Sequence, residues 1–202
     1  MTTTTTAPAV RYLSVTDTAK AIRAALKAAL PAAQFRVAKS AGGGRIVIRW
    51  TDGPTVAAVK TVAADYDCDH FDAACDMEYR SMVLVRDGRI VATRSTGSYG
   101  SVPAWNTARD EDSARGDWVQ YSGAIEYNRT ISAALARKCI AKIAAYWGNV
   151  PAVPEVADSA YGFELLGDGN GAVRPDLDPV YHSWRHSIER AACDATMYVR
   201  EA

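Results

Sequence analysis

The sequence lacks any run close to the roughly 20 apolar residues that a membrane-spanning helix needs. Its first residues, Met1–Ala7, form a threonine tract with no basic start and no apolar run, which argues against a secretory signal peptide. It also lacks net charge, since 23 basic residues balance 23 acidic ones, and the whole molecule therefore has no field that attracts nucleic acid or membrane. The expected location is the cytoplasm, where the four cysteines stay reduced.

The charges are nevertheless distributed unevenly along the chain. Residues 1–60 contain nine basic and two acidic side chains, whereas residues 61–80 contain one basic and six acidic side chains. A basic N-terminal third indicates an anionic partner, and the alternative is a helix face that these charges simply solvate. The residues predicted to form a basic binding face are Lys20, Arg23, Lys27, Arg36, Arg45 and Arg49. The residues predicted to form an acidic binding loop are Asp65, Asp67, Asp69, Asp72 and Asp76.

Apolar periodicity predicts the secondary structure. A helix capped by Ser14 or Thr16 ends at Pro31, and alternation predicts a hairpin from residues 35–39 and 45–50 with a glycine-rich turn. A second helix begins at Pro54, and Asp87–Gly88 joins a second hairpin from residues 81–86 and 89–94. Residues 130–147 and 180–193 favour two further helices, with strands near residues 118–127 and 162–166.

This pattern predicts an α+β fold in which hairpins build an antiparallel sheet with helices packed on one face. The N-terminal part reads helix, hairpin, helix, hairpin, and the C-terminal part reads as helical. Residues 1–10 are expected to be a disordered leader before a single domain at 11–202, of which residues 96–202 form an extension with two helices.

Metal sites are the first chemistry to consider. His182 and His186 lie four residues apart on a predicted helix, so they share a face and offer two metal ligands, which leaves a metal-dependent enzyme as an alternative. Cys68, His70 and Cys75 are soft ligands in a short segment, but their spacing lacks the close cysteine pairing of structural zinc sites. The alternating aspartates from Asp65 resemble a calcium loop, but the sixth position has histidine where that loop needs glycine.

No catalytic signature emerges from the remaining sequence. The nucleophile pattern Gly-x-Ser-x-Gly is missing, and residues 97–101 (Gly-Ser-Tyr-Gly-Ser) indicate a flexible loop. The glycine run at residues 42–44 precedes a strand and is not followed by Lys-Ser/Thr, which argues against a phosphate-binding loop. We expect neither a catalytic residue nor a cofactor.

Several N-terminal motifs occur in a specific order. Tyr12–Val15 precedes a helix with Thr18–Arg23, then come Phe35–Val37 and a glycine-rich turn. Trp50–Thr55 (Trp-Thr-Asp-Gly-Pro-Thr) is the most specific motif, and Phe71–Asp72 follows it with Asp76 and Tyr79. Over residues 11–95 this order resembles the large polyvalent protein-associated domain of type twenty-nine.

The resemblance implies a setting more than a chemistry. Such domains occur in proteins of phages and conjugative elements, where they are thought to help an incoming element to establish itself by blunting host defences. The implied function is a non-enzymatic accessory protein whose partner is a host or element-encoded protein complex. Binding of nucleic acid by the basic face is the alternative. No membrane partner is expected, and the sequence leaves the oligomeric state open.

Overall fold

The computed structural model describes residues 10–109, 117–148, 150, 153–166, 173 and 183–193. Among these residues strand exceeds helix, at 37% against 32%, and the strands form three sheets. The chain divides into two compact units. Unit 1 comprises Met1–Pro31, Phe35–Ile48 and Val59–Tyr127, and unit 2 comprises Ala32–Gln34, Arg49–Ala58 and Asn128–Ala202.

A six-stranded sheet is the framework of unit 1. Its strands are β1 (Val10–Tyr12), β4 (Asp69–Asp72), β5 (Met77–Arg86), β6 (Arg89–Ser95), β7 (Trp105–Asn106) and β8 (Asp117–Gln120). The order is β1-β8-β5-β6-β7, and β4 pairs with the first part of β5. The pairs are antiparallel except for β1 and β8, which run parallel with Val10 opposite Trp118.

Both faces of this sheet are covered at its centre. Successive residues of a strand point to opposite faces, yet Val83 and Leu84 of β5 are both fully buried. Val83 packs with Val119 and Tyr121, whereas Leu84 packs with Trp118 in a separate cluster. The centre of β5 is thus an interior strand with apolar side chains on both sides.

Helix α1 (Val15–Ala29) begins where the sequence predicts. The Ser14 hydroxyl accepts a hydrogen bond from the Asp17 N–H at 3.1 Å, which satisfies one of the free donors of the first turn. Ile22 and Leu26 are completely buried, and they lie on the apolar stripe of the helix.

The second sheet contains β2 (Arg36–Lys39), β3 (Arg45–Thr51) and β9 (Ala124–Thr130), in that order. Helix α2 (Val56–Ala63) follows β3 along the chain and continues into a 3₁₀ turn, Ala64–Tyr66. Along the chain β3, α2 and β9 each run from one unit into the other.

Unit 2 contains α3 (Ala133–Trp147), α4 (Trp184–Cys193) and the antiparallel pair of β10 (Glu155–Ser159) and β11 (Gly162–Leu166). Its core includes Ile143, Phe163, Trp184 and Ile188. Helix α3 ends at Gly148, which has a φ of 69°. Glycine tolerates positive φ because it has no Cβ, which accounts for the predicted end of this helix.

The predicted fold class is wrong as a whole. The two predicted hairpins do not form one sheet, because β2 and β3 pair with β9 whereas β5 and β6 belong to the six-stranded sheet. The sheet is also not purely antiparallel, since β1 and β8 are parallel. The C-terminal part is not helical: it contains strands β8 to β11 besides α3 and α4. The local pattern did not encode these long-range pairings.

One segment also contains more structure than predicted. The sequence predicts a loop for the acidic stretch at residues 65–78, but this stretch includes β4 and the start of β5. Asp76 has a φ of 54° in the tight turn that joins these strands. The disordered leader predicted for residues 1–10 falls, apart from Val10, outside the described residues.

Candidate binding surface

Two of the six predicted basic residues form an ion pair or a hydrogen bond within the protein. The Lys20 ammonium lies 2.9 Å from an Asp17 carboxylate oxygen, and the Arg23 guanidinium donates to the Val37 carbonyl at 2.7 Å. The other four are exposed and make no ion pair or hydrogen bond with a described residue. They are Lys27, Arg36, Arg45 and Arg49, of which Arg49 belongs to unit 2.

The predicted acidic residues do not form one solvated loop. Asp65 and Asp76 are exposed in turns, Asp67 and Asp69 are half-buried, and Asp72 is buried. Strand geometry separates Asp69 from Asp72, because successive residues of β4 point to opposite faces of the sheet. Asp69 is therefore directed away from Asp72, although only two residues lie between them.

A groove of about 410 Å³ on unit 1 brings together one residue of each predicted surface. Arg45, from the basic set, lines it beside Asp69 of the acidic set, with Glu78 and Arg80 on the same wall. Asp69 is fixed in place, since one carboxylate oxygen accepts the Gly123 N–H at 2.7 Å and the other lies 3.2 Å from the Arg80 guanidinium. The groove therefore presents charges of both signs, and the Arg45 guanidinium makes no hydrogen bond or ion pair with a described residue.

His70 lines the same groove and forms a hydrogen bond with Ser81. Its Nε2 lies 2.8 Å from the Ser81 hydroxyl, across the antiparallel pair of β4 and β5. The imidazole ring also lies 5.0 Å from the Tyr79 ring, between centroids. A serine hydroxyl within hydrogen-bonding distance of a histidine is the arrangement in which histidine can activate a nucleophile. Ser81, however, is only 6% exposed. The contact fixes the orientation of His70 in the groove wall.

Sequence reasoning missed a network around Asp72, which is only 4% exposed. Its carboxylate accepts hydrogen bonds from the Ser98 hydroxyl, from the Ser101 hydroxyl at 2.7 Å and from the Ser101 N–H at 3.0 Å. The Cys75 thiol and the Ala74 N–H donate to it as well. These bonds, led by the one from Ser98, hold the pKa of Asp72 far below its ordinary value.

The Asp72 network immobilises the loop that the sequence predicts to be flexible. A Cβ at Gly100 would lie 2.2 Å from the Cys75 sulfur, and one at Gly97 would lie 2.3 Å from the Val102 carbonyl oxygen. The two glycines are therefore required by close approach. The loop presents Tyr99 to solvent, with 96% of that residue exposed.

Asp67 lies in a different environment. Burial raises the pKa of its carboxyl group above the ordinary value, and the neighbouring Asp69 charge adds to the effect. Its Oδ1 is buried and has no hydrogen-bond partner in the part of the chain that the structure describes. Burial also raises the pKa of Tyr127 to about 12, with a further contribution from Asp67.

The three soft ligands that were weighed against a zinc site contact different partners. The buried Cys68 sulfur lies 3.9 Å from the Asp65 carbonyl oxygen. His70 forms a hydrogen bond with Ser81, and the Cys75 thiol donates one to Asp72. Among the described residues no group of three His, Cys, Asp or Glu side chains is placed to hold a metal ion. His186 lies in α4, whereas His182 is outside the described residues, so that pair stays a prediction.

The Trp50–Pro54 motif has a structural role within unit 2. The Trp50 indole N–H donates to the Pro54 carbonyl at 2.9 Å. Asp52, with a φ of 53°, accepts hydrogen bonds from the N–H and the hydroxyl of Ser132, the N-cap of α3. The Arg129 guanidinium donates to the Asp52 and Gly53 carbonyls. The motif therefore joins the turn after β3 to the start of α3.

These observations define a class: a mixed sheet-and-helix protein with a surface groove that presents charges of both signs. Residues 13–110 match the family model of the large polyvalent protein associated domain 29, which confirms the resemblance found in the sequence. This family supports a phage or mobile-element context. No curated protein and no solved structure matches the chain. In the described residues no helix is long and apolar enough to cross a bilayer.

Proposed function

We propose that the chain is a non-enzymatic accessory protein of a phage or other mobile element that binds a host or element-encoded protein complex. The observation that supports this proposal most directly is the groove in which Arg45, which has no partner among the described residues, lies beside Asp69, Glu78 and Arg80. Charges of both signs in one groove favour a partner with a complementary pattern, because such patterns determine which proteins associate.

The proposed action is inhibition by occlusion in the cytoplasm of the host cell. A bound accessory protein would cover the working surface of a defence complex without altering it chemically. Ser81 is buried, and the Asp72 carboxylate is occupied by its own donors. The Asp72 contacts therefore hold the loop at residues 97–101, and the contact between His70 and Ser81 orients a residue of the groove wall.

The test is capture of partners from host lysate, with mass spectrometry to identify the proteins retained. Arg45→Glu and Arg49→Glu reverse two exposed charges that have no partner among the described residues. We expect Arg45→Glu to reduce capture about tenfold or more, since reversing one charge in a complementary interface costs at least that factor. Testing Arg49→Glu separately shows whether unit 2 contributes.

Lys138→Glu is the matched control for these variants. Lys138 is exposed on α3, away from the groove residues in sequence, and it makes no hydrogen bond or ion pair with a described residue. This variant should capture the same proteins as the unaltered chain. Equal capture by all variants would show that neither the groove nor Arg49 takes part in binding the partner.

Nucleic-acid binding is the second candidate. It is favoured by three basic side chains of unit 1 that have no partner in the described part of the chain: Lys27, Arg36 and Arg45. Since Lys20 and Arg23 are engaged within the protein, about three phosphate contacts are available. Counterion release then predicts a slope of about −3 in log K against log salt. A gel-shift series would measure this slope, and the absence of any shift at low salt would exclude this function.

A further inference from the structure

A second pocket, of about 540 Å³, lies at one end of the six-stranded sheet of unit 1. Met82, Arg94 and Asn106 are register partners across β5, β6 and β7, so they share one face of the sheet. Ser95, Ala104 and Trp105 complete much of the lining. The volume lies within the range of sites that bind small molecules.

Arg94 supplies the positive charge of this pocket. Its guanidinium carbon lies 3.9 Å from the centroid of the fully buried Trp118 ring, which holds the group by a cation–π contact. It makes no hydrogen bond or ion pair with another described residue. Burial lowers the pKa of this guanidinium, which reflects the cost of removing its charge from water.

The Arg94 guanidinium has several N–H donors, and none of them has an acceptor among the described residues. A bound anion would supply that acceptor. Among the described residues that line the pocket, Arg94 is the single charged one. One guanidinium balances one negative charge, whereas a phosphate monoester carries nearly two at pH 7 and would leave charge unbalanced.

We propose that this pocket binds a small monocarboxylate that has an apolar body. The carboxylate pairs with the Arg94 guanidinium in a two-point contact, and the apolar body covers Met82 and Ala104. Asn106 offers a further hydrogen bond at the edge of the site. This site involves neither Arg45 nor the groove beside it, so it is independent of the function proposed above.

The experiment is an NMR titration of the full chain with three probes of similar size: benzoate, phenyl phosphate and benzyl alcohol. We expect benzoate to shift the Met82 methyl and Arg94 Nε signals in a saturable way. Phenyl phosphate should bind about tenfold more weakly, and neutral benzyl alcohol should not saturate. A higher affinity for phenyl phosphate than for benzoate, or no saturation with benzoate, would overturn the proposal.

Variants assign the effect to the pocket. Arg94→Gln should weaken benzoate binding about tenfold or more, whereas Arg89→Gln, at an exposed arginine on the same strand, should leave it unchanged. Because Arg94 contacts the buried Trp118, Arg94→Gln risks destabilising the sheet. Ala104→Trp therefore provides a second route, since it fills the pocket and leaves Arg94 in place. Benzoate binding that survives both Arg94→Gln and Ala104→Trp would refute the site.

Discussion

The Asp72 carboxylate collects hydrogen bonds from two hydroxyls, a thiol and two backbone N–H groups, all supplied by residues of unit 1. Its low pKa means that the folded state binds a proton less tightly than the unfolded chain. The stabilisation is therefore complete above the ordinary aspartate value of 3.8 and is lost as the pH falls through the folded-state pKa.

The first prediction concerns Asp72→Asn. This variant should have a lower Tm than the unaltered chain at pH 7, because the amide replaces one acceptor oxygen with a donor that faces other donors. The difference in Tm should narrow as the pH falls below about 4, and thermal melts followed by circular dichroism would measure it. Asp76→Asn is the matched control, since Asp76 is exposed and asparagine tolerates its φ of 54°. A Tm difference that does not change with pH would contradict the assignment.

The second prediction concerns Asp67→Asn and has the opposite sign. The raised pKa of Asp67 means that its stabilising contribution is present at low pH and is lost as the pH rises through the folded-state pKa. Asparagine has no charge to bury and keeps an oxygen for the Ile125 N–H. The variant should therefore melt about 2–4 °C higher at pH 7, and this advantage should vanish near pH 3. A lower Tm at pH 7 would show that the Asp67 charge stabilises the fold.

At the scale of elements, the third prediction concerns the start of α3. Asp52 accepts hydrogen bonds from both the N–H and the hydroxyl of Ser132, and its backbone occupies the left-handed region. Asp52→Ala should reduce the free energy of unfolding by about 1–2 kcal/mol, through loss of the cap support and the strain at positive φ. Asp52→Asn keeps an acceptor and tolerates that φ, so urea denaturation should show a smaller loss. Equal losses in both variants would contradict this account.

The sequence predicts those elements whose signals are local. Helix α1 and its Ser14 cap, the β5–β6 hairpin and the glycine end of α3 are found where apolar spacing and turn residues indicate them. The sequence does not predict strand β4, because three of its four residues are charged or ionisable and it lacks the apolar alternation of a strand. Pairing between β1 and β8 depends on residues more than a hundred positions apart, which no spacing rule encodes.

The candidate sites show the same limit. Exposed charges such as Arg45 are visible in the sequence, but their meeting with Asp69 depends on tertiary structure. The contact between Asp72 and Ser98 spans 26 residues, and its only sequence signal is a serine- and glycine-rich loop. The correct hairpin register would have placed His70 opposite Tyr79, with Ser81 two residues further along β5 on the same face.

At the scale of the whole molecule, the match to the family model ends before the last strand of the six-stranded sheet. The match stops at residue 110, whereas β8, at Asp117–Gln120, lies between β1 and β5 in the six-stranded sheet. Trp118 and Val119 of this strand are fully buried in two separate clusters. Residues 13–110 therefore lack a central strand of their own sheet.

The fourth prediction follows from this position of β8. A chain truncated after residue 110 should show no cooperative thermal transition and poor dispersion in its NMR spectrum, because both faces of β5 lose apolar partners. The full chain is the control, and Val119→Asp in the full chain should have a similar effect by burying an unpaired charge. A cooperative melt of the truncated chain would show that residues 13–110 fold without β8.

The late position of β8 also affects the order of events during synthesis. Strand β8 pairs with β1 on one side and with β5 on the other. While the chain emerges from the ribosome, β1 and the edge of β5 that faces β8 lack this partner until residue 120 is outside the exit tunnel. Contacts of such large sequence separation slow folding, since a long loop must close before they form. Throughout that interval the nascent protein exposes an unpaired strand edge rich in valine and leucine, which chaperones and aggregating neighbours both recognise.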